Sequence, residues 1–123
     1  MLVIRKAPPY IAKNLCERAK IEYDDKKMCY AAREEWTILG FALILPEGEN
    51  ATITFAEAVN YQVLDGVVRA AIAGAEDNGA KTYDFDVSKD VADKLLPIGF
   101  RKSPDGKHHS IEKLFSVCKG CSK

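Results

Sequence analysis

The chain has 123 residues, 47% of them apolar and 29% charged, enough for one hydrophobic core and too few for two. Its 18 Lys and Arg balance 18 Asp and Glu, so no net field draws it to nucleic acid or to an anionic membrane, and neither is expected as a partner. The proportions argue against disorder, and no apolar run reaches the length of a membrane span.

The opening Met1-Leu-Val-Ile-Arg-Lys is a charge-interrupted strand rather than a secretory signal. A cytoplasmic location is therefore expected, and the Asn50-Ala-Thr52 sequon carries no weight. After this first strand, Pro8-Pro9 removes two ladder donors. Ile11, Leu15 and Ala19 then recur at helical spacing, predicting an amphipathic helix that ends near Asp24-Asp25. Lys27–Glu34 reads as a strand, and Trp36–Leu45, apolar with Gly40 inside and Pro46 after it, as a buried one. The turn Pro46-Glu-Gly-Glu-Asn50 leads into Ala51–Val59, making an antiparallel meander. In its last strand, period-two alternation puts Ile53, Phe55, Glu57 and Val59 on one face.

Asn60 is a good N-cap for a long helix with the stripe Leu64, Val67, Val68, Ala71, Ile72 and Ala75, stopped by Asn78-Gly79. Asp65 and Arg69 lie one turn apart and can pair. In the strand Lys81–Val87, Tyr83, Phe85 and Val87 alternate with Thr82, Asp84 and Asp86, giving an apolar and an acidic face. Tyr83, Phe85 and Trp36 are expected in the core, because no basic residues interleave them as in a stacking platform. Ser88 can cap a short helix with Val91, Leu95 and Leu96, ended by Pro97 and Gly99. Ser103-Pro-Asp-Gly106 signals a turn, and Ile111–Val117 reads as a closing strand. Residues 1–117 are thus expected to form one domain, with 118–123 a Cys-containing tail.

Three stretches carry a family resemblance: Val67-Val-Arg-Ala-Ala-Ile-Ala-Gly-Ala-Glu-Asp-Asn-Gly79, Leu95-Leu-Pro-Ile-Gly99-Phe100, and Leu39-Gly40-Phe41. In this order and spacing the chain resembles a shortened, divergent domain of the GNAT superfamily of N-acyltransferases. The resemblance implies an α+β fold with a mixed, mostly antiparallel sheet and helices on its faces. It also implies acyl transfer from acyl-CoA to an amine, with acetyl-CoA or CoA as the cofactor. The family binds the CoA pyrophosphate with a Gln/Arg-x-x-Gly-x-Gly/Ala loop at the start of the long helix, where bare amides and the dipole stabilise phosphate. Here Val59, Gln62 and Leu64 fill those positions, with Asn60 and Asp65 beside them. Gln62 and Leu64 are expected to crowd the anion, and no basic residue lies between Thr52 and Val68. The family's leaving-group acid, a Tyr four residues before the Gly of Gly-Phe, is replaced by Leu95. A non-catalytic binding or regulatory module with the same fold is therefore the alternative.

Glu57 either acts as the base, taking a proton from an amine directly or through water, or lies where its strand frays into solvent. Asp84 and Asp86 either hold a cationic amine or protein partner, or form a solvated strand face. Cys118 and Cys121, with His108 as a third ligand, have a bite suited to zinc; the same pair could do thiol chemistry, or be a reduced tail. His108 and His109 are adjacent and should point opposite ways on a strand, so one of them could join such a set. Cys16 and Cys29 are expected as buried thiols. Oligomeric state is not legible, and a homodimer is left open.

Overall fold

The computed structural model describes residues 2–102 and 108–115; the Ser103–Gly106 turn and the Cys118/Cys121 pair lie outside them. Strands β1 (Leu2–Lys6), β2 (Met28–Glu34), β3 (Thr37–Glu47), β4 (Asn50–Ala58), β5 (Thr82–Phe85) and β6 (His109–Ser110) form one sheet in chain order. Each neighbouring pair is antiparallel except β4 and β5. A parallel pair needs a crossover, and α2 (Tyr61–Asp77) supplies it. α1 (Pro9–Arg18) connects β1 to β2, and α3 (Lys89–Leu95) with a 3-10 turn over Leu96–Ile98 follows β5. The expected α+β architecture is the one observed.

Alternation along the strands sorts the core into two layers. Ala32, Ala42, Ile44 and Ile53 face α2 and bury Val67, Val68, Ala71 and Ile72. Cys29, Ala31, Phe41 and Leu43 face α1 and bury Ala12, Leu15 and Cys16. α2 has the predicted ends: Asn60 Oδ1 accepts from the Val63 amide at 2.8 Å, and Gly79 turns the chain at φ 102°. The Gly79 and Ala80 amides then close on the carbonyls of Glu76 and Ala75, satisfying the helix end. Among the described residues no helix is long and apolar enough to cross a membrane.

Three expectations are corrected. α1 stops at Arg18, well short of Asp24, because Lys20 takes φ 60°. Its amide bonds Glu17 and the Ile21 amide bonds Cys16, a Schellman stop with lysine where sequence reading looks for glycine. Trp36 is not core: it sits in the β2–β3 turn and is 92% exposed, since Glu35 at φ 54° bends the chain and pairing resumes at Glu34 with Thr37. Residues 111–115 are helical rather than a strand. Ser110 Oγ accepts from the Lys113 amide at 3.3 Å and caps that turn, and Ile111, Leu114 and Phe115 have helical spacing.

Both Cys16 and Cys29 are buried free thiols, as expected. Burial pushes the Cys29 thiol up to about 12, with the neighbouring Cys16 adding to the shift, and burial raises Tyr30 and Tyr83 as well. Because an unfolded thiol ionises near 9.0 and Cys29 near 12, folding keeps its proton; the stability this represents is complete below pH 9 and is lost as pH climbs towards 12. The urea midpoint should therefore fall over that window, and less steeply in Cys29→Ala. Lysine in the left-handed region costs about 1–2 kcal/mol, against the extra backbone entropy of glycine. Lys20→Gly should thus raise stability by about 0.5–1 kcal/mol in urea denaturation.

Candidate active-site cleft

The parallel ladder between β4 and β5 runs from Asn50↔Thr82 to Ile53↔Phe85, and the Asp86 amide donates to the Ile53 carbonyl at 2.8 Å. There β5 ends, while β4 continues to Ala58. From Thr54 onward β4 pairs with β3 on one side and with no described strand on the other. The two strands part, and the opening leads to the start of α2.

Thr54 also breaks the β3–β4 register. Ile44 opposes Ile53 while Leu43 opposes Phe55, so Thr54 is the extra residue of a bulge. A bulge shifts the pleat. Ile53 faces α2, whereas Phe55 packs on Phe41 with ring centroids 5.4 Å apart, and Glu57 lies opposite Phe41. The expectation that Ile53, Phe55, Glu57 and Val59 share one face is corrected accordingly. The Thr54 hydroxyl is buried with no hydrogen-bond partner among the described residues, a cost of about 1–3 kcal/mol.

Beyond the bulge lies a cleft of about 400 Å³. β4 contributes Glu57, Ala58 and Val59, β3 contributes Ile38 to Phe41, and α1 contributes Leu15 and Arg18. Lys94 closes it from α3. Gly40 permits the close approach of β3 and β4, since a Cβ there would stand 2.6 Å from the Ala58 Cβ. Arg18, Glu57 and Lys94 are exposed and form no ion pair among the described residues. A carboxylate with no ion pair among the described residues thus shares a solvent-facing cleft with two cations.

Glu57 therefore lies in the cleft. Arg18 and Lys94 join it and were not singled out in the sequence, where nothing links α1 or α3 to β4. Leu95, at the family's acid position, is buried at 1% exposure; its neighbour Lys94 reaches the cleft instead.

At the α2 mouth, Val59, Asn60, Tyr61 and Gln62 are exposed. Asn60 occupies the Val63 amide, leaving those of Tyr61 and Gln62 without a partner among the described residues. The crowding expected from Leu64 does not occur, because helical periodicity turns that side chain into the core at 3% exposure. Asp65 pairs with Arg69 at 3.0 Å, and that guanidinium also lies 5.4 Å from the centre of the Phe100 ring. The residues fit an acyl-CoA unevenly. The open β4 edge and the orphan Thr54 hydroxyl suit the amides of its arm, whereas the mouth offers pyrophosphate two amides and the helix dipole without a basic side chain.

Asp84 and Asp86 do not project together as expected. Asp84 is 8% exposed, accepts from the Phe85 amide at 2.8 Å and pairs with His108 Nδ1 at 3.2 Å. Asp86 is exposed, because β5 ends at Phe85 and the alternation ends with it. It borders a separate hollow of about 210 Å³ with Leu96, Phe100 and Arg101. His109 points the other way from His108, stacked on Tyr83 at 5.0 Å with Nε2 2.8 Å from the Arg101 carbonyl. Among the described residues no cluster of three His, Cys, Asp or Glu could hold a metal.

No protein-family model and no curated protein sequence matches the chain. Solved structures match in shape. A ribosomal-protein-alanine N-acetyltransferase from Brucella melitensis is similar at a TM-score of 0.65 and 12% identity, over 86% of this chain and 94% of that one. A predicted acetyltransferase from Clostridium acetobutylicum, solved with acetyl-CoA, is similar at 0.59 and 14%, over 92% and 98%. An IAA acetyltransferase from Bacillus cereus is similar at 0.59 and 18%, over 82% and 77%. The parted parallel strands, the crossover helix and these likenesses agree: the chain has the fold of the GNAT N-acetyltransferases.

Proposed function

We propose that the chain is an acyl-CoA-dependent N-acyltransferase whose acceptor amine meets Glu57 in the cleft. The observation that carries this reading is the parting of β4 from β5 beside a cleft whose carboxylate, Glu57, has no ion pair among the described residues. Acyl-CoA, when bound, would supply an acyl carbon activated by a thioester; the amine nitrogen would bond to that carbon as the C–S bond breaks, sulfur would leave with the electron pair, and the proton shed by the new amide nitrogen would pass to it through solvent, giving amide and free thiol.

The chain's own residues do the rest. Glu57 accepts a proton from the ammonium, freeing the nitrogen lone pair, which is the work of a general base. Lys94 presents a positive charge at the α3 side, where it stabilises negative charge on the departing sulfur. Unpaired backbone amides of β4 beyond Thr54 hold the donor's arm as an added strand would be held.

The second reading, a non-catalytic module, is favoured by the α2 mouth, which has neither basic side chain nor close-approach glycine. Donor binding separates the two. On the acyltransferase reading acetyl-CoA raises the melting temperature, since a ligand at a hundredfold excess over Kd stabilises by about 2.7 kcal/mol. No shift with acetyl-CoA or CoA at millimolar concentration removes it for those donors. Where turnover of an amine is measurable, Glu57→Gln should lower kcat about a hundredfold or more with an unchanged acetyl-CoA shift. Lys94→Ala should lower kcat about tenfold.

A further inference from the structure

We infer that the acceptor is a small zwitterion, an α-amino acid or a compound that likewise carries a carboxylate beside its amine, with Arg18 taking the carboxylate and Glu57 the ammonium. This rests on the acyltransferase reading and names the substrate class of the same cleft.

The charges carry the inference. The cleft's described lining has one carboxylate and two cations, so a ligand whose only charge is positive meets a net positive lining. An amine with its own carboxylate turns one of those cations into a binding group. Of the two, Lys94 approaches from α3, on the side where β4 and β5 part, and Arg18 from α1, over the closed part of the sheet. Glu57 shares the cleft with both, on β4 opposite Phe41. On this reading a zwitterion in the cleft brings its carboxylate to Arg18 and its amine to Glu57. Guanidinium suits this because its fork binds both carboxylate oxygens.

Arg18 is also well placed mechanically. Leu15, one turn earlier and 6% exposed, anchors this face of α1 on the sheet and lines the same cleft. The Lys20 stop turns the chain away directly after Arg18, leaving its side chain free of ion pairs among the described residues. A cation at a helix C-terminus also complements the dipole; that role gives no preference among ligands, and the following test turns on the preference. A volume of about 400 Å³ suits a small molecule, and Leu15, Ile38 and Phe41 suit an apolar side chain on it.

Calorimetric titration of the full chain without acyl donor compares L-leucine and L-phenylalanine with the amine each becomes on losing its carboxylate. The amino acid should bind about tenfold tighter than its amine, the worth of one charge-assisted hydrogen-bonded contact. Arg18→Gln should abolish that difference, Arg18→Lys should keep part of it, and Glu57→Gln should weaken both ligands. Unchanged melting curves for the Arg18 variants show that their fold is intact. Equal or tighter binding of the amines, a preference that survives Arg18→Gln, or no saturable binding of either amino acid at millimolar concentration overturns the inference. An acetyl-CoA shift that persists beside any of those results leaves the acyltransferase reading standing, so the two fail separately.

Discussion

One hydrogen bond, from the Asp86 amide to the Ile53 carbonyl, marks where the sheet stops being a sheet. Up to it, β4 and β5 are held at ladder spacing, and Tyr83 and Phe85 bury their rings against the α2 layer. After it, β5 gives way to the Ser88-capped α3, and β4 pairs with β3 and with no other described strand. A central strand with one bare side is ordinarily a liability. Here α2 and α3 both contact β4, and the bare side is a rail of backbone donors and acceptors. Everything proposed for this chain depends on that parting, because it gives a ligand access to the middle of the sheet without unfolding an edge.

The bulge at Thr54 makes the same strand serve two layers. Before it, Ala51 and Ile53 fill the α2 core; after it, Ala56 continues that core while Phe55 and Glu57 turn to the α1 side. Without the extra residue, strict alternation would carry Glu57 onto the face where Ile53 is fully buried, and a carboxylate there would be desolvated without a partner. The orphaned Thr54 hydroxyl is the local cost of this switch. Gly40 completes the device by letting β3 follow β4 closely where a side chain would collide with Ala58 and the Glu57 carbonyl.

Much of this fold is legible in the sequence because its signals are local. Asn60, the apolar stripe from Leu64 to Ala75 and Gly79 define α2 within a residue or two, and apolar, β-branched content around the turn at 46–50 defines β3 and β4. Legibility fails where a backbone geometry is adopted by a residue with no preference for it. Lys20 and Glu35 both take positive φ, and neither announces a helix stop or a tight turn, so α1 reads too long and Trp36 reads as strand. Residues 111–115 fail differently: the spacing of Ile111, Leu114 and Phe115 is helical and Ser110 is a cap, but short β-prone runs mislead. For the cleft, Glu57 is singled out in the sequence on an alternation that the Thr54 bulge breaks, and its exposure also fits the alternative of a solvent-facing strand end; Arg18 and Lys94 come from helices far away in sequence, and only the folded sheet brings them into the same cleft. Asp84 and Asp86 show the converse, since alternation predicts a shared face only while a strand lasts.

The placement of positive charge has a consequence for how such a chain would hold a donor. Phosphate binding at a helix start depends on amides, on the dipole and on added basic side chains. At α2 the first of these is reduced by the Asn60 cap, which ties up the Val63 amide, and Arg69 is already engaged by Asp65 a turn into the helix. Two described cations without an ion pair, Arg18 and Lys94, lie in the cleft, and two more, Arg101 and Lys102, border the hollow beside Asp86. On the proposed reading, affinity for the donor would come chiefly from its arm against β4, and Arg18 and Lys94 would act on the reacting groups rather than on the phosphates. Charge acting there is the kind that strengthens as the transition state develops, and so contributes to rate rather than to uniform binding.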